Sequence, residues 1–176
     1  LLHNAGLTRP ITVLSNGVTE SFFLASTPVN QMPPFHVVSV GRLAKEKQQA
    51  QLIQAVAASP FKNDIRLTVA GTGPQQESLV RLAAALGVEA EIGRVSDERL
   101  KTLYQTADVF VQTSAVELEG MSVLEAMAAG CPVLINQSIT SAVPEFVTAP
   151  EATYAMNDEE DLRRKLDAML ADDVLR

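Results

Sequence analysis

The chain has 176 residues, a formal net charge of −7 at pH 7 and 47% hydrophobic residues. These values predict a packed domain with a sizeable core, and the negative charge argues against non-specific nucleic-acid binding. No apolar run is long enough to cross a bilayer, and we expect no secretory leader. The single cysteine, Cys131, cannot form an internal disulfide and is predicted to be buried, which fits a reducing compartment. Two histidines and one cysteine make no credible metal set, so neither a metal nor a cofactor is predicted.

The first 34 residues are predicted to lie outside the main domain. A short strand is expected over Ile11 to Leu14, followed by a turn at Asn16-Gly17. Residues 26–34 contain three prolines, which is typical of a linker. We therefore divide the chain into a linker-like segment, 1–34, and a main domain, 35–176.

Strands alternate with helices from residue 35 onward. His36 to Val40 is a nearly continuous apolar run, the pattern of a buried parallel strand, and Ile65 to Ala70 is the next strand. This alternation predicts an α/β fold, a Rossmann-like doubly wound parallel sheet with helices on both faces. Such sheets bind ligands at the carboxyl ends of their strands, so the residues that follow each strand are the candidate site.

Glycines and basic residues follow the first two predicted strands. Gly41 and Arg42 come directly after the first, and Lys47 lies a few residues further on. A glycine lets the backbone approach a ligand, Arg42 suits a bidentate phosphate contact, and Lys47 suits a point-charge contact. A solvated basic loop is the alternative. Gly71 and Gly73 follow the second strand; such a pair is usually only a tight turn, and the dinucleotide fingerprint is absent.

The most informative stretch is a loop and helix that follow the strand Asp108 to Gln112. The loop enters the helix at Gly120, Met121 and Ser122, where free backbone N–H groups and the helix dipole form a ready phosphate site. The helix is predicted to end at Gly130 and to bury the stripe Val123, Leu124, Met127 and Ala128.

Two acids flank this predicted phosphate site. Glu117 lies in the loop, and Glu125 is expected in the first turn of the helix. Acids so close to a phosphate need another partner, and sugar hydroxyls, which donate hydrogen bonds to carboxylates, are the natural one. The alternative is that both glutamates are ordinary surface charge.

The spacing Glu117-x7-Glu125, with Gly120 between and Ala-Met-Ala-Ala-Gly-Cys-Pro-Val after, resembles the donor-site signature of retaining glycosyltransferases of family 4, which have the GT-B fold. The chain then corresponds to the C-terminal, donor-binding domain of such an enzyme. One departure is visible, since Glu119 stands where the family usually has Phe.

The resemblance implies roles for the site residues. Glu125 would bind the ribose hydroxyls and Glu117 would lie by the transferred sugar, while Arg42 and Lys47 would bind the donor diphosphate. The Gly71-x-Gly73 turn would line the donor cleft, and the loop holding Arg94 and Val95 would lie against the base. Catalytic roles are thereby assigned to Glu117, Arg42 and Lys47.

The implied reaction is transfer of a hexose, with retention, from a nucleotide-diphosphate sugar. A UDP-sugar is favoured over a GDP- or ADP-sugar, and no metal is required. The acceptor, a lipid or cell-envelope glycan in bacterial capsule or glycolipid biosynthesis, would be held by a missing N-terminal domain, so this chain alone is expected to be inactive. The expected location is the cytoplasm, at the inner face of the plasma membrane where the parent protein would associate peripherally.

Two alternatives remain open at this point. The first is another nucleotide-sugar enzyme of the same fold, such as an epimerase or an inverting transferase. The second is a non-catalytic Rossmann-like nucleotide-binding or interaction module, which would not need Arg42, Lys47, Glu117 and Glu125 to converge.

Overall fold

A computed structural model describes residues 16–23 and 32–172, and within them a six-stranded parallel sheet has the order β3-β2-β1-β4-β5-β6. The doubly wound α/β fold predicted from the sequence is confirmed. The strands are β1 (Phe35–Val40), β2 (Ile65–Ala70), β3 (Ala90–Gly93), β4 (Val109–Gln112), β5 (Val133–Asn136) and β6 (Thr153–Tyr154). The helices are α1 (Gln49–Ala58), α2 (Gln76–Leu86), α3 (Asp97–Thr106), α4 (Met121–Ala128) and α5 (Glu159–Ala171).

The sheet has a hydrophobic core on each face because consecutive strand residues point to opposite sides. Val37, Val109 and Val111 face one side, where they pack with α1, α2 and α5. Val38 and Phe110 face the other, where they pack with α3 and α4. Since both faces are covered, the central strands are apolar along nearly their whole length.

The strand order reverses between β1 and β4. The chain leaves β1 toward α1 on one face and leaves β4 toward α4 on the other. These two loops therefore diverge at the carboxyl ends of neighbouring strands, and the crevice between them is where open α/β sheets bind ligands.

Helix α4 differs from the sequence prediction in two respects. Its cap is Gly120 and its first residue is Met121, so Glu125 lies in the second turn and not the first. The buried face consists of Val123 and Ala126, whereas Met127 is 41% exposed. The predicted stripe is therefore right at Val123 and wrong at Met127, because Ala126, which was not in the stripe, faces the core instead.

Polar side chains cap two of the helices. The Ser96 hydroxyl caps α3 by accepting a hydrogen bond from the Arg99 amide, and the Asp158 carboxylate caps α5 by accepting one from the Asp161 amide. Helix α5 buries Leu162, Leu166, Met169 and Leu170. Cys131 is buried, as predicted. None of the helices in 16–23 and 32–172 is both long and apolar enough to span a membrane.

The segment 16–23 packs against the domain on the side of α3 and α4. Its short 3-10 turn, Glu20–Phe22, brings the Phe22 ring edge-on to Tyr104 with ring centroids 5.9 Å apart. The predicted strand at Ile11 to Leu14 and most of the predicted linker lie outside the described residues. The division at residue 34 therefore stays a prediction.

Candidate functional site

Lys47 and Glu117, which are 70 residues apart in the sequence, form an ion pair at the crevice. The Lys47 Nζ lies 2.5 Å from the Glu117 Oε1, and the two side chains are 21% and 16% exposed. Lys47 ends the 3-10 turn Lys45–Lys47 that follows β1, and Glu117 lies in the loop that follows β4. The pair thus joins the two loops that diverge at the reversal of strand order.

Hydrogen bonds to main-chain carbonyl oxygens hold these two loops together. The Thr113 hydroxyl donates to the Lys47 carbonyl at 2.7 Å, and the Ala115 amide donates to the Glu46 carbonyl at 2.9 Å. The Ser114 hydroxyl reaches the Glu46 carbonyl at 3.4 Å. Sequence reasoning missed Thr113 and Ser114; the available signal was two small hydroxyl residues directly after a buried strand.

Glu117 is held by two further contacts. The buried Gln112, the last residue of β4, donates from its Nε2 to the Glu117 Oε1 at 3.4 Å. The Glu117 carbonyl accepts from the Ala142 amide at 3.1 Å, which ties the loop to the segment after β5. Both side-chain donors use Oε1, and Oε2 has no partner among the described residues.

Glu125 lies in a separate environment from this pair. The hydroxyl of Tyr104, which is fully buried on α3, donates to its Oε2 at 3.0 Å. Burial raises the pKa of Glu125 above its ordinary value, and the hydrogen bond from Tyr104 partly offsets that rise. Burial also raises the pKa of Tyr104, so this phenol is a donor at every physiological pH.

Gly120 determines how the loop enters α4. It adopts the left-handed conformation with φ 65°, and a Cβ atom there would overlap the Cγ2 of the buried Val143. Both the backbone conformation and the lack of space therefore require glycine. The amides of Met121 and Ser122 follow at the start of the helix, where N–H groups have no intrahelical acceptor.

The loops after β1 and β2 lie against each other. The Gly41 amide donates to the Ala70 carbonyl at 3.0 Å, and the Leu43 amide donates to the Thr72 carbonyl at 2.9 Å. A Cβ at Gly71 would overlap the Gly41 carbonyl, and one at Gly73 would overlap the Leu43 carbonyl. These glycines are thus required for loop–loop contact, whether or not a ligand is bound.

Two adjoining hollows open beside these loops. One, of about 460 Å³, is lined by Arg42 and the turn 71–74, and the other, of about 360 Å³, is lined by Arg94, Val95 and Leu100. They share a wall formed by Val40, Ala70, Gly71 and Thr72. Together they form a groove along the carboxyl ends of β1 and β2.

The comparison with known families decides the class of protein. Residues 25–176 match the family model described as "Glycosyl transferases group 1". The chain belongs to this glycosyltransferase family. The resemblance inferred from the Glu117-x7-Glu125 signature is thereby confirmed.

Curated relatives of the group 1 family are similar over most of this chain. A GDP-mannose-dependent α-(1-6)-phosphatidylinositol dimannoside mannosyltransferase of Mycobacterium tuberculosis is 35% identical over 126 residues, 70% of this chain and 32% of its own length. A lipopolysaccharide core biosynthesis glycosyltransferase of Rhizobium meliloti is 32% identical over 97% of this chain and 51% of its own length. The chain spans between about a quarter and a half of such relatives.

Solved structures of glycosyltransferases have the same fold. The catalytic domain of the cholesterol-α-glucosyltransferase of Helicobacter pylori aligns with a TM-score of 0.75 at 37% identity, covering 78% of this chain and 86% of that one. The C-terminal domain of a group 1 family glycosyltransferase from Francisella tularensis aligns with a TM-score of 0.74 over 90% of both chains, at 23% identity. The domain is thus one Rossmann-like half of the GT-B architecture.

The structure brings together part of the set expected for a glycosyltransferase donor site. Lys47 and Glu117 touch, whereas Arg42 and Glu125 make no hydrogen bond or ion pair with them or with each other within the described residues. The main-chain carbonyl of Arg42 accepts a hydrogen bond from the Gln49 Nε2, and within the described residues the Arg42 guanidinium forms no hydrogen bond. The binding roles of all four stay predictions.

The departure at Glu119 has a structural counterpart. The Asn16 side-chain amide donates to the Glu119 Oε2, so the segment that precedes the sheet contacts the loop between the two glutamates. Where the family usually has Phe, this chain therefore has a polar link.

Proposed function

We propose that this domain binds a nucleotide-diphosphate sugar in the crevice between the loops after β1 and β4, and that the parent enzyme transfers a hexose from it with retention. The observation that carries the proposal is the Lys47–Glu117 pair at the reversal of strand order. The positively charged Lys47 ammonium, which would bind the diphosphate, lies there beside the Glu117 carboxylate, which would bind the sugar. The Glu117 Oε2 is available to accept a hydrogen bond from a sugar hydroxyl.

The chemistry calls for positive charge at the leaving phosphate. Breaking the bond between the anomeric carbon and the diphosphate builds negative charge on the phosphate, and fixed donors aimed at that charge lower the barrier. Lys47, the Arg42 guanidinium and the first amides of α4 after Gly120 would supply them. In this proposal Glu117 orients the sugar, and the acceptor attacks the same face that the phosphate leaves.

The nucleoside would occupy the groove along β1 and β2. The base would lie in the hollow lined by Arg94 and Val95, whose volume of about 360 Å³ suits one heterocycle with part of its ribose. Glu125 would accept hydrogen bonds from the ribose hydroxyls. A UDP-sugar is the favoured donor, ahead of GDP- and ADP-sugars.

The acceptor would be a lipid or a lipid-linked glycan. Leu118 and Val116, the two neighbours of Glu117 in the loop after β4, are 88% and 48% exposed, and Ile139, in the segment after β5, is 98% exposed. Such apolar side chains beside a polar site suit an acceptor with an apolar part. The names of several relatives include lipids, among them phosphatidylinositol dimannoside and cholesterol. The reaction would then take place on the cytoplasmic side of a membrane.

Calorimetric titration of the chain with UDP, GDP and ADP tests the proposal. We expect weak binding of at least one nucleotide, and a loss of about tenfold or more in Lys47→Met, because hydrogen bonds to charged groups contribute about 1.5–3 kcal/mol. Lys165→Met is the matched control, since Lys165 lies on α5 and donates to the Pro150 carbonyl. The proposal is wrong if none of the nucleotides binds at several millimolar, or if both variants lose affinity equally.

Transfer itself requires the parent protein with any domain that precedes this one. Anomeric configuration of the product, determined by proton NMR, would distinguish retention from inversion. Nucleotide binding without transfer to any lipid or glycan acceptor would instead favour the non-catalytic alternative.

A further inference from the structure

Tyr104 has no place in the functional assignments above, although it touches one of their central residues. It is 0% exposed, and its hydroxyl donates to the Glu125 Oε2 at 3.0 Å. A buried tyrosine hydroxyl normally takes a nearby backbone or side-chain acceptor. Here that acceptor is a half-buried carboxylate on a different helix, α4.

The Tyr104 ring is held from two sides. The Phe22 ring packs edge-on at 5.9 Å between centroids, and the Phe110 ring packs at 5.7 Å with a tilt of 53°. Phe22 belongs to the segment before the sheet and Phe110 to β4. These two parts of the chain, together with the helix α3 that carries Tyr104, fix the position of the hydroxyl. Its position is therefore preset before any ligand arrives.

Glu125 has two carboxylate oxygens with different surroundings. Oε2 accepts from Tyr104, while Oε1 has no partner among the described residues. A carboxylate held at one oxygen cannot rotate freely, so the direction of the other oxygen is restricted. The hydrogen bond from Tyr104 also partly offsets the rise in the Glu125 pKa that burial causes, so it favours the ionised carboxylate, which is the stronger acceptor.

We propose that Tyr104 is a positioning residue for nucleotide recognition, which fixes one oxygen of Glu125 so that the other accepts a ribose hydroxyl. This inference rests on the proposed nucleotide-binding function. It adds a residue on α3, outside the loop and helix that carry the glutamate signature, to the determinants of ribose recognition.

The test compares each nucleotide with its 2′,3′-dideoxy form, which lacks both ribose hydroxyls. Tyr104→Phe keeps the ring and removes only the hydroxyl. We expect it to weaken UDP binding by about three- to tenfold, the range for one lost hydrogen bond, and to leave the dideoxy form of UDP nearly unchanged. The preference for ribose over dideoxyribose should fall accordingly. GDP or ADP and its dideoxy form replace UDP if that nucleotide binds best.

A double-mutant cycle separates positioning from general damage. If Tyr104 acts through Glu125, then Tyr104→Phe has no further effect on affinity in a Glu125→Ala background, which has no side-chain acceptor for the Tyr104 hydroxyl. Tyr154→Phe is the matched control, because Tyr154 is 1% exposed and its hydroxyl donates to the Gln112 carbonyl and not to a glutamate. The thermal midpoints of all variants report any loss of folding.

The outcomes are distinct. Absence of nucleotide binding by the wild-type chain overturns the proposed function, and this inference with it. Binding by the wild type with an equal loss of UDP and of its dideoxy form in Tyr104→Phe, or additive losses in the double variant, overturns the inference alone. If Tyr104→Phe alone unfolds, the double variant Tyr104→Phe/Glu125→Ala removes the carboxylate left without its donor, and its affinity must equal that of Glu125→Ala.

Discussion

Substitution of Gly120 tests how strictly the loop into α4 is determined. Gly120→Ala places a Cβ in the left-handed region, which costs about 1–2 kcal/mol for an L-residue. The same atom would overlap the Cγ2 of Val143, which is fully buried, and overpacking of this kind costs about 1–3 kcal/mol. We therefore expect the free energy of unfolding to fall by about 2–5 kcal/mol, provided that the two costs add.

A second glycine separates the two costs. Gly87 ends α2 with φ 62°, close to the 65° of Gly120, but a Cβ there would meet only the flexible end of Lys62 at 3.4 Å. Gly87→Ala should therefore show only the backbone cost, about 1–2 kcal/mol. The difference between the two variants measures the overlap with Val143.

Urea denaturation followed by circular dichroism provides the assay. With a slope of about 2 kcal/mol/M, Gly120→Ala should lower the midpoint by about 1–2.5 M and Gly87→Ala by about 0.5–1 M. Val143→Ala removes the overlapping methyl, so adding it to Gly120→Ala should cost less than the sum of the single variants by about 1–3 kcal/mol. Equal midpoints for Gly120→Ala and Gly87→Ala, together with additive costs, would refute the reasoning.

Three further predictions use titratable groups. Burial raises the pKa of Glu125, so ionisation of this carboxyl opposes folding as pH rises. In urea titrations, Glu125→Gln should have a higher free energy of unfolding than wild type at pH 8, and this difference should disappear near pH 4. Burial, with smaller effects of nearby arginines, lowers the pKa of His36 in the folded state, so the unfolded chain binds a proton at His36 more readily than the folded one. The free energy of unfolding should therefore fall as pH drops below 6.5, and it should fall less steeply in His36→Gln. Burial raises the pKa of Cys131 to about 12, so iodoacetamide at pH 8 should label it at least about a hundredfold more slowly in folded than in urea-unfolded protein.

The fold could be predicted because its main signal is local. Runs such as His36 to Val40 are apolar on both faces, and that pattern occurs in buried parallel strands. The carboxyl-end placement of Lys47 and Glu117 then follows from the topology of such sheets, and the glutamate spacing identified the family. The structure adds the direct contact between these two residues.

The supporting residues could not be predicted because their role depends on partners far along the chain. Tyr104 follows two leucines on an amphipathic helix and is indistinguishable there from an ordinary core residue. Gln112 directly follows the apolar run Val109 to Val111, and nothing in the sequence predicts that its side-chain amide donates to Glu117.

The paired loops after β1 and β4 have a mechanical consequence. Thr113 and Ala115 bind carbonyl oxygens of Glu46 and Lys47, so the joint between these segments is made by main-chain oxygens as well as by the charged side chains. The crevice between these loops therefore cannot open further without breaking these main-chain hydrogen bonds. Exchange of either charged residue should leave the joint intact, whereas Thr113→Val should loosen it without altering a single charge.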